Sequence, residues 1–192
     1  AYGLAHASTA LFWMDLKRTD VHWTLTDTGW AKAAWGMLFP QFLIGCAVVL
    51  FDGAGFDPEL HLEIIKKLKV NTFCAPPTAY RMFAQMDLAA YDLTSVRRSM
   101  GAGEPLNPEV VSWIERRHFC PVKDHYGQTE TGMTCCNFHG LDHPVRQGSM
   151  GYSSPGHKVV ALNEKNEVVG EGEIGQLAVD VNASPLFHFD GY

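Results

Sequence analysis

The segment Tyr126-Gly127-Gln128-Thr129-Glu130 places an aromatic face, a flexible glycine, a hydroxyl and a carboxylate within five residues. These are parts that handle nucleotides. Tyr126 can stack on a purine, Thr129 can hydrogen-bond a phosphate oxygen, and Glu130 can hold a Mg2+ ion that bridges phosphates, an ion that takes few protein carboxylates. A plainer account makes Thr129 a helix cap and Glu130 a first-turn residue that complements the helix dipole. In Gly101-Ala102-Gly103-Glu104-Pro105, two glycines let the backbone approach a base or phosphate closely, and Pro105 stiffens the turn before a helix at Asn107. The same glycines also suit a simple tight strand-to-helix turn. Trp30, after Gly29, either walls an apolar pocket or packs in the core, whereas Trp13, Trp23, Trp35 and Trp113 fall at spacings typical of core.

Cys135, Cys136, His139 and His143 offer four possible metal ligands, but adjacent cysteines rarely reach one ion and structural zinc sites separate their cysteines by two to four residues. A Ser-His-Asp order with a G-x-S-x-G elbow is not found.

The elements that must position these loops alternate between helix and strand through roughly the first 130 residues, which predicts an α/β fold. A helix over 3–16 leads to a strand over 21–26, and a helix over 31–43, interrupted at Pro40, leads to a strand over 47–52. Asp57 and Pro58 supply the cap and first position of a helix through Lys67, with Leu60, Ile64, Ile65 and Leu68 on one face. Thr72–Ala75 is a strand, Pro76-Pro77-Thr78 opens a helix to Met86, 96–100 is a strand, and Asn107-Pro108 caps a helix to His118 before a strand over 122–125. In an open parallel sheet ligands sit beyond the carboxyl ends of the strands, and the loops carrying Trp30, Gly103 and Tyr126 are expected there together. After residue 145 the pattern changes to strands over 158–162 and 176–181 with turns between, an antiparallel β unit. The chain therefore divides into 1–144, α/β, and 145–192, all-β.

Apolar residues make up 46% of the chain and charged residues 19%, a globular composition with enough large side chains for a core. The apolar run from Phe42 to Phe51 is about half of the ~20 residues a membrane-spanning helix needs. The first residues carry no Met, basic leader or cleavage site and read as a chain cut into rather than a natural start. Five cysteines, two of them adjacent, point to reduced thiols in a cytosol-like compartment. A net charge of −6 with scattered basic residues argues against nucleic acid or anionic lipid and for small-molecule or protein partners.

The stretches TDTGWAKAAWGMLFP (26–40), APPTAYRMF (75–83), GAGEPLNPEV (101–110), YGQTETG (126–132) and GEIGQLAV (172–179) together resemble the adenylate-forming acyl-CoA synthetases, especially the medium-chain branch. The resemblance covers essentially the whole chain. It implies a flavodoxin-like, mostly parallel sheet followed by part of a β-barrel, and a two-step reaction. A carboxylic acid and Mg·ATP give acyl-AMP and pyrophosphate, and the thiol of coenzyme A then gives acyl-CoA and AMP. By motif, Gly103, Glu104 and Pro105 would line the adenine pocket and Asp124, His125, Tyr126, Gly127, Gln128 and Thr129 would form the nucleotide loop. Thr129 would touch the α-phosphate, Glu130 would hold the magnesium, and Trp30, Gly127 and Gln128 would border the acid. The family's phosphate loop, its ribose-binding Thr-Gly-Asp and its lysine-bearing C-terminal domain are not among these residues. The resemblance thus implies a fragment that is silent alone, in the cytoplasm or, in a eukaryote, the mitochondrial matrix, and able to self-associate through surface that truncation exposes. A non-catalytic adenine-nucleotide-binding module is the alternative.

Overall fold

A computed structural model describes residues 2–53, 55–116 and 120–192. Five parallel strands form the central sheet: β1 (Val21–Thr24), β2 (Ala47–Val48), β3 (Thr72–Ala75), β4 (Arg98–Gly101) and β5 (Val122–Lys123), in the order β2-β1-β3-β4-β5. That order is flavodoxin-like, and the chain reverses its direction of travel across the sheet between β1 and β3. β3 has the bounds read from the sequence. Strand alternation sends Phe73 and Ala75 into one core and Cys74 into the other.

On one face pack α4 (Pro58–Leu68), α5 (Pro77–Phe83) and α6 (Pro108–Arg116), closing a core around Trp23, Phe73, Tyr80, Phe83 and Ile114. The sequence-based end of α6 at His118 lies outside the described residues. Asp57 caps α4 by accepting the amides of Glu59 and Leu60 at 3.0 and 3.2 Å, with Pro58 in the first turn. The face of α4 differs from expectation. His61, Leu62 and Ile65 are buried, while Leu60 and Leu68 are exposed. His61 takes an apolar position because its ring stacks on Trp23, with centroids 5.2 Å apart and planes 4° from parallel.

On the other face lie α1 (Tyr2–Ser8) with a π-helical turn Thr9–Trp13, and α2 (Ala31–Ala33), which passes through a π-helical turn Ala34–Leu38 into α3 (Phe39–Ile44). The interruption expected at Pro40 falls just before it, and Pro40 occupies the first turn of α3, where a missing amide hydrogen costs nothing. β2 is shorter than the expected 47–52. Val49 still donates to His22 at 2.8 Å, but the edge strand then leaves the sheet and Leu50 is exposed.

The strand expected over 122–125 ends at Lys123. The chain turns at Asp124 out of the parallel sheet into a second, antiparallel one: β6 (His125–Gln128), β7 (Gly132–Cys136) and β8 (Tyr152–Ser153). β9 (Val159–Leu162) and β10 (Gln176–Val179) then form an antiparallel pair. No described helix is long and apolar enough to cross a membrane.

Candidate functional site

The turn after β1, Pro76 after β3 and the Ala102–Glu104 loop after β4 meet beyond the carboxyl ends of the parallel strands, at the point where the strand order reverses. Between them and β6 opens a cleft of about 520 Å³. Trp30, Gly103, Glu104, His125, Gly127, Gln128 and Thr129 all line it. A second cavity of about 340 Å³ adjoins it through Gly103, Glu104, His125 and Gly127, and adds Pro105, Asp124 and Tyr126. All but one of the residues selected from the sequence thus stand around one two-part cleft. Glu130 lines neither cavity. It sits in the hairpin turn, where its carboxylate accepts a hydrogen bond from the Tyr192 hydroxyl at 3.1 Å.

The Tyr126–Glu130 segment is not a loop leading to a helix, so the helix-cap account of Thr129 and Glu130 does not hold. Tyr126, Gly127 and Gln128 lie within β6, paired with Cys135, Met133 and Gly132 across a bulge. Thr129, Glu130 and Thr131 make the turn, closed by the Gln128 amide donating to the Thr131 hydroxyl at 3.0 Å and by Gly132 in the left-handed region at φ 66°. Gly127 is required by packing, since a Cβ there would stand 2.1 Å from the Gly132 carbonyl oxygen. Gly103 is required by its φ of 99°.

Trp30 caps α2 with extended backbone and is 72% exposed at the cleft rim, which excludes the core alternative. Trp13, Trp23 and Trp35 are buried, and Trp35 also forms part of the cleft wall. Both oxygens of Glu104 accept the Thr78 hydroxyl, at 2.7 and 2.9 Å, and one accepts Arg81 at 3.1 Å. His125 Nδ1 donates to the Gly101 carbonyl at 3.1 Å, which leaves Nε2 as an acceptor. Burial pulls His125 down to about 4, so its ring is neutral at pH 7. Asp124 is pushed up by burial, an effect opposed by the amides of His125 and Leu106, which it accepts at 2.8 and 3.4 Å.

Three of the four residues weighed for zinc have other partners. Cys136 Sγ lies 3.3 Å from the Ser154 hydroxyl, His139 donates to the Ser99 carbonyl at 2.8 Å, and His143 accepts the Phe138 amide at 2.8 Å. Glu130, assigned to a magnesium ion from the sequence, follows Thr129 in the turn at the rim of the cleft, so it would have to leave the Tyr192 hydroxyl to reach an ion there. A further cavity of about 580 Å³, lined by Trp23, Phe51, Phe56 and His61, shares Thr26 and Asp27 with the main cleft and contains none of the selected residues.

Sequence reasoning missed Lys32, Trp35 and Met133, which also line the main cleft. Lys32 carried a signal, being the single charged residue between Gly29 and Phe51.

A doubly wound α/β domain with a two-part cleft at its topological switch point defines a small-molecule-binding protein of the mononucleotide-binding type. The chain belongs to the AMP-binding enzyme family, which matches residues 2–184. It is 38% identical over 181 residues to the mitochondrial acyl-coenzyme A synthetase ACSM3 of Rattus norvegicus, covering 94% of this chain and 31% of that protein. It is 36% identical over 187 residues to the mitochondrial acyl-coenzyme A synthetase ACSM4 of Homo sapiens, covering 97% of this chain and 32% of that protein. The crystal structure of an acyl-CoA synthetase from Brucella canis superposes with a TM-score of 0.89 at 39% identity, over 100% of this chain and 35% of that one. The chain spans about a third of the length of each of these proteins.

Proposed function

We propose that this chain is the acid- and nucleotide-binding core of an AMP-forming carboxylate–CoA ligase. The observation that carries the reading is the two-part cleft. One part has apolar walls at Trp30, Trp35 and Met133, the other contains Tyr126 and Asp124, and the two join at Gly103, Glu104, His125 and Gly127. An acid in the first part and a nucleotide in the second would meet where the carboxylate must attack the α-phosphate, and such positioning can supply much of the acceleration. The attacking carboxylate oxygen forms the bond to phosphorus as the bond to pyrophosphate breaks. The coenzyme A thiol then attacks the acyl carbon, giving the thioester and releasing AMP.

In this reading Tyr126 packs on the adenine, with Gly103, Glu104, Pro105, Asp124 and His125 around it. Thr129 donates to the α-phosphate, Glu130 would hold Mg2+, and Trp30, Gly127 and Gln128 border the acid. When bound, Mg2+ would supply positive charge to the phosphates. A medium-chain or aromatic acid suits a cleft of about 520 Å³ walled by tryptophan and methionine. The segment alone does not complete the reaction, because relatives of the same family are about three times as long. The 1–144 and 145–192 parts act as an α/β subdomain and the start of a β-barrel subdomain. Five free cysteines and the mitochondrial relatives support a reducing location, the cytosol or the mitochondrial matrix. Exposed Leu4, Leu11, Phe42 and Leu43 support self-association of the isolated segment.

Carboxylate-dependent ATP–pyrophosphate exchange by a full-length protein carrying this segment tests the reading, with acetate, butyrate, octanoate and benzoate as acids. Exchange with octanoate or benzoate, reduced at least tenfold by Glu130→Gln, is expected. A folded protein that binds AMP but exchanges with none of the four acids overturns the ligase reading in favour of a non-catalytic nucleotide module.

A further inference from the structure

The cavity of about 580 Å³ that adjoins the main cleft lies between the carboxyl ends of β1 and β2 and the first turn of α4. Its wall is aromatic. The rings of Trp23, Phe51 and Phe56 gather around His61, with centroids 5.2, 5.0 and 4.6 Å from the imidazole. His61 is 3% exposed, and its Nδ1 donates to the Asp57 carbonyl at 2.6 Å, which leaves Nε2 as an acceptor. Among the described residues Nε2 has no hydrogen-bond partner. Burial pulls His61 below its ordinary value, so the ring is neutral at pH 7.

The charges on this lining have one sign. Asp27 and Asp52 are exposed where they line the cavity, and among the described residues no lysine or arginine lines it. One Asp27 oxygen accepts the Gly29 amide at 2.7 Å and the other is left over. Asp52 forms no hydrogen bond or ion pair among the described residues. The phosphates of a nucleotide or of coenzyme A would meet like charge here and no cation to offset it. A positive group meets the reverse, with carboxylates for its charge, a neutral nitrogen to accept its N–H, and aromatic faces that attract a cation. The volume is that of a small-molecule site.

We propose that this cavity is a second ligand site and that it takes an organic ammonium group, with an N–H donated to His61 Nε2 and the apolar body of the ligand on Phe51 and Phe56. Asp27 and Asp52 supply the charge that holds it. The site meets the main cleft at Thr26 and Asp27, and by accepting the Gly29 amide Asp27 also shapes the turn that leads to Trp30. An occupant on Asp27 is therefore felt at the rim of the main cleft. The ammonium arrives on a separate amine, or at the far end of an acid whose carboxylate lies in the main cleft. The inference does not rest on the ligase reading, because binding of an amine needs no turnover.

Calorimetric titration of the full-length protein carrying this segment tests the site at pH 7, with hexylamine, hexanol and 6-aminohexanoate as probes. Hexylamine should bind at least tenfold more tightly than hexanol, which has the same body and no charge. Asp52→Asn should cut that preference at least threefold, and it localises the effect, since Asp52 lines this cavity and not the main cleft. His61→Phe keeps an aromatic ring against Trp23 and deletes the acceptor, so it should weaken hexylamine severalfold and leave hexanol unchanged. Equal affinity for the amine and the alcohol overturns the proposal, and so does a preference that Asp52→Asn leaves intact. The third probe separates the two sources. If 6-aminohexanoate binds at least tenfold more tightly than hexylamine and Asp52→Asn removes that advantage, the ammonium is the far end of the acid. If hexylamine binds as well or better, the ligand is a separate amine, and either ranking supports the site.

Discussion

The two ends of the parallel sheet are built on opposite electrostatic plans. At the amino ends of β1 and β4, Arg97 donates to Asp15 Oδ2 at 3.0 Å and to both oxygens of Asp20, Arg98 donates to Asp15 Oδ2 at 3.1 Å, and Lys17 reaches Asp15 Oδ1 at 2.5 Å. Burial alone would raise the Asp15 carboxyl, and Lys17, Arg97 and Arg98 more than reverse it. At the carboxyl ends Lys32 has no carboxylate partner among the described residues, His125 Nε2 is left as an acceptor, and the backbone is held open by Gly103 and Gly127. One end uses its charges to tie distant segments together, and the other leaves polar groups lining a cleft. The same strands serve both, which is why a doubly wound sheet can be stabilised without filling its site.

The contrast is most directly broken at Arg97. Removing it leaves the buried Asp20 carboxylate without a cation and takes one of three from Asp15, so Arg97→Met should destabilise the protein by about 3 kcal/mol in urea unfolding, while nucleotide affinity of the folded fraction stays unchanged. A stable Arg97→Met protein, or a folded one that has lost nucleotide binding, would erase the division between the ends.

Acid titration separates the regions by pH window. His22 is buried in β1 between the Thr72 hydroxyl at 2.7 Å and the Thr24 hydroxyl at 2.8 Å, and burial pulls it down to about 4. His6 and His125 also fall to about 4, again chiefly by burial. The unfolded chain binds these protons near pH 6.5 and the folded one does not, so stability is full above about 6.5 and declines as pH falls toward 4. Each buried histidine can cost on the order of 3 kcal/mol across that interval. The depressed Asp15 acts lower, since its contribution is present above the usual carboxylate range and is lost only as pH falls through its folded value. Unfolding free energies at pH 7, 5.5 and 4.5 should therefore fall steadily, and a flat profile would mean that the histidines titrate as exposed groups.

Smaller effects sharpen the picture at the cleft. Gly127→Ala should cost about 1–3 kcal/mol and abolish nucleotide binding, because its Cβ meets the Gly132 carbonyl and pushes the hairpin apart. Retained AMP affinity in a calorimetric titration would show that β6 does not shape the nucleotide side. Trp30→Ala, at an exposed rim, should change stability by less than about 0.5 kcal/mol yet weaken acid binding several-fold. A large loss of stability instead would return Trp30 to the core.

Much of the architecture was legible because local rules and burial agreed. Thr72–Ala75 is an apolar strand between turn residues, Asp57-Pro58 is a cap followed by a favoured first position, and both formed as read. The loops grouped by motif do converge on one cleft, apart from Glu130. Reading failed where a polar residue took a core position, as His61 did on α4 by stacking on Trp23. It failed again at Asp124, where leaving the parallel sheet depends on pairing with β7 rather than on local propensity.

By itself the sequence determined the alternation of helix and strand, the capped helix starts, and the residue types able to handle a nucleotide and an acid. Those follow from side-chain periodicity and backbone preference, which act over a few residues. Only the tertiary structure decided that Arg97 closes on Asp15 and Asp20, that His125 is neutral between Trp13 and Trp35, and that Lys32 lines the cleft with its Nζ on the Ala102 carbonyl. Burial and charge pairing are properties of segments far apart in the chain, and their energies exist only once folding has brought those segments together and removed the water between them.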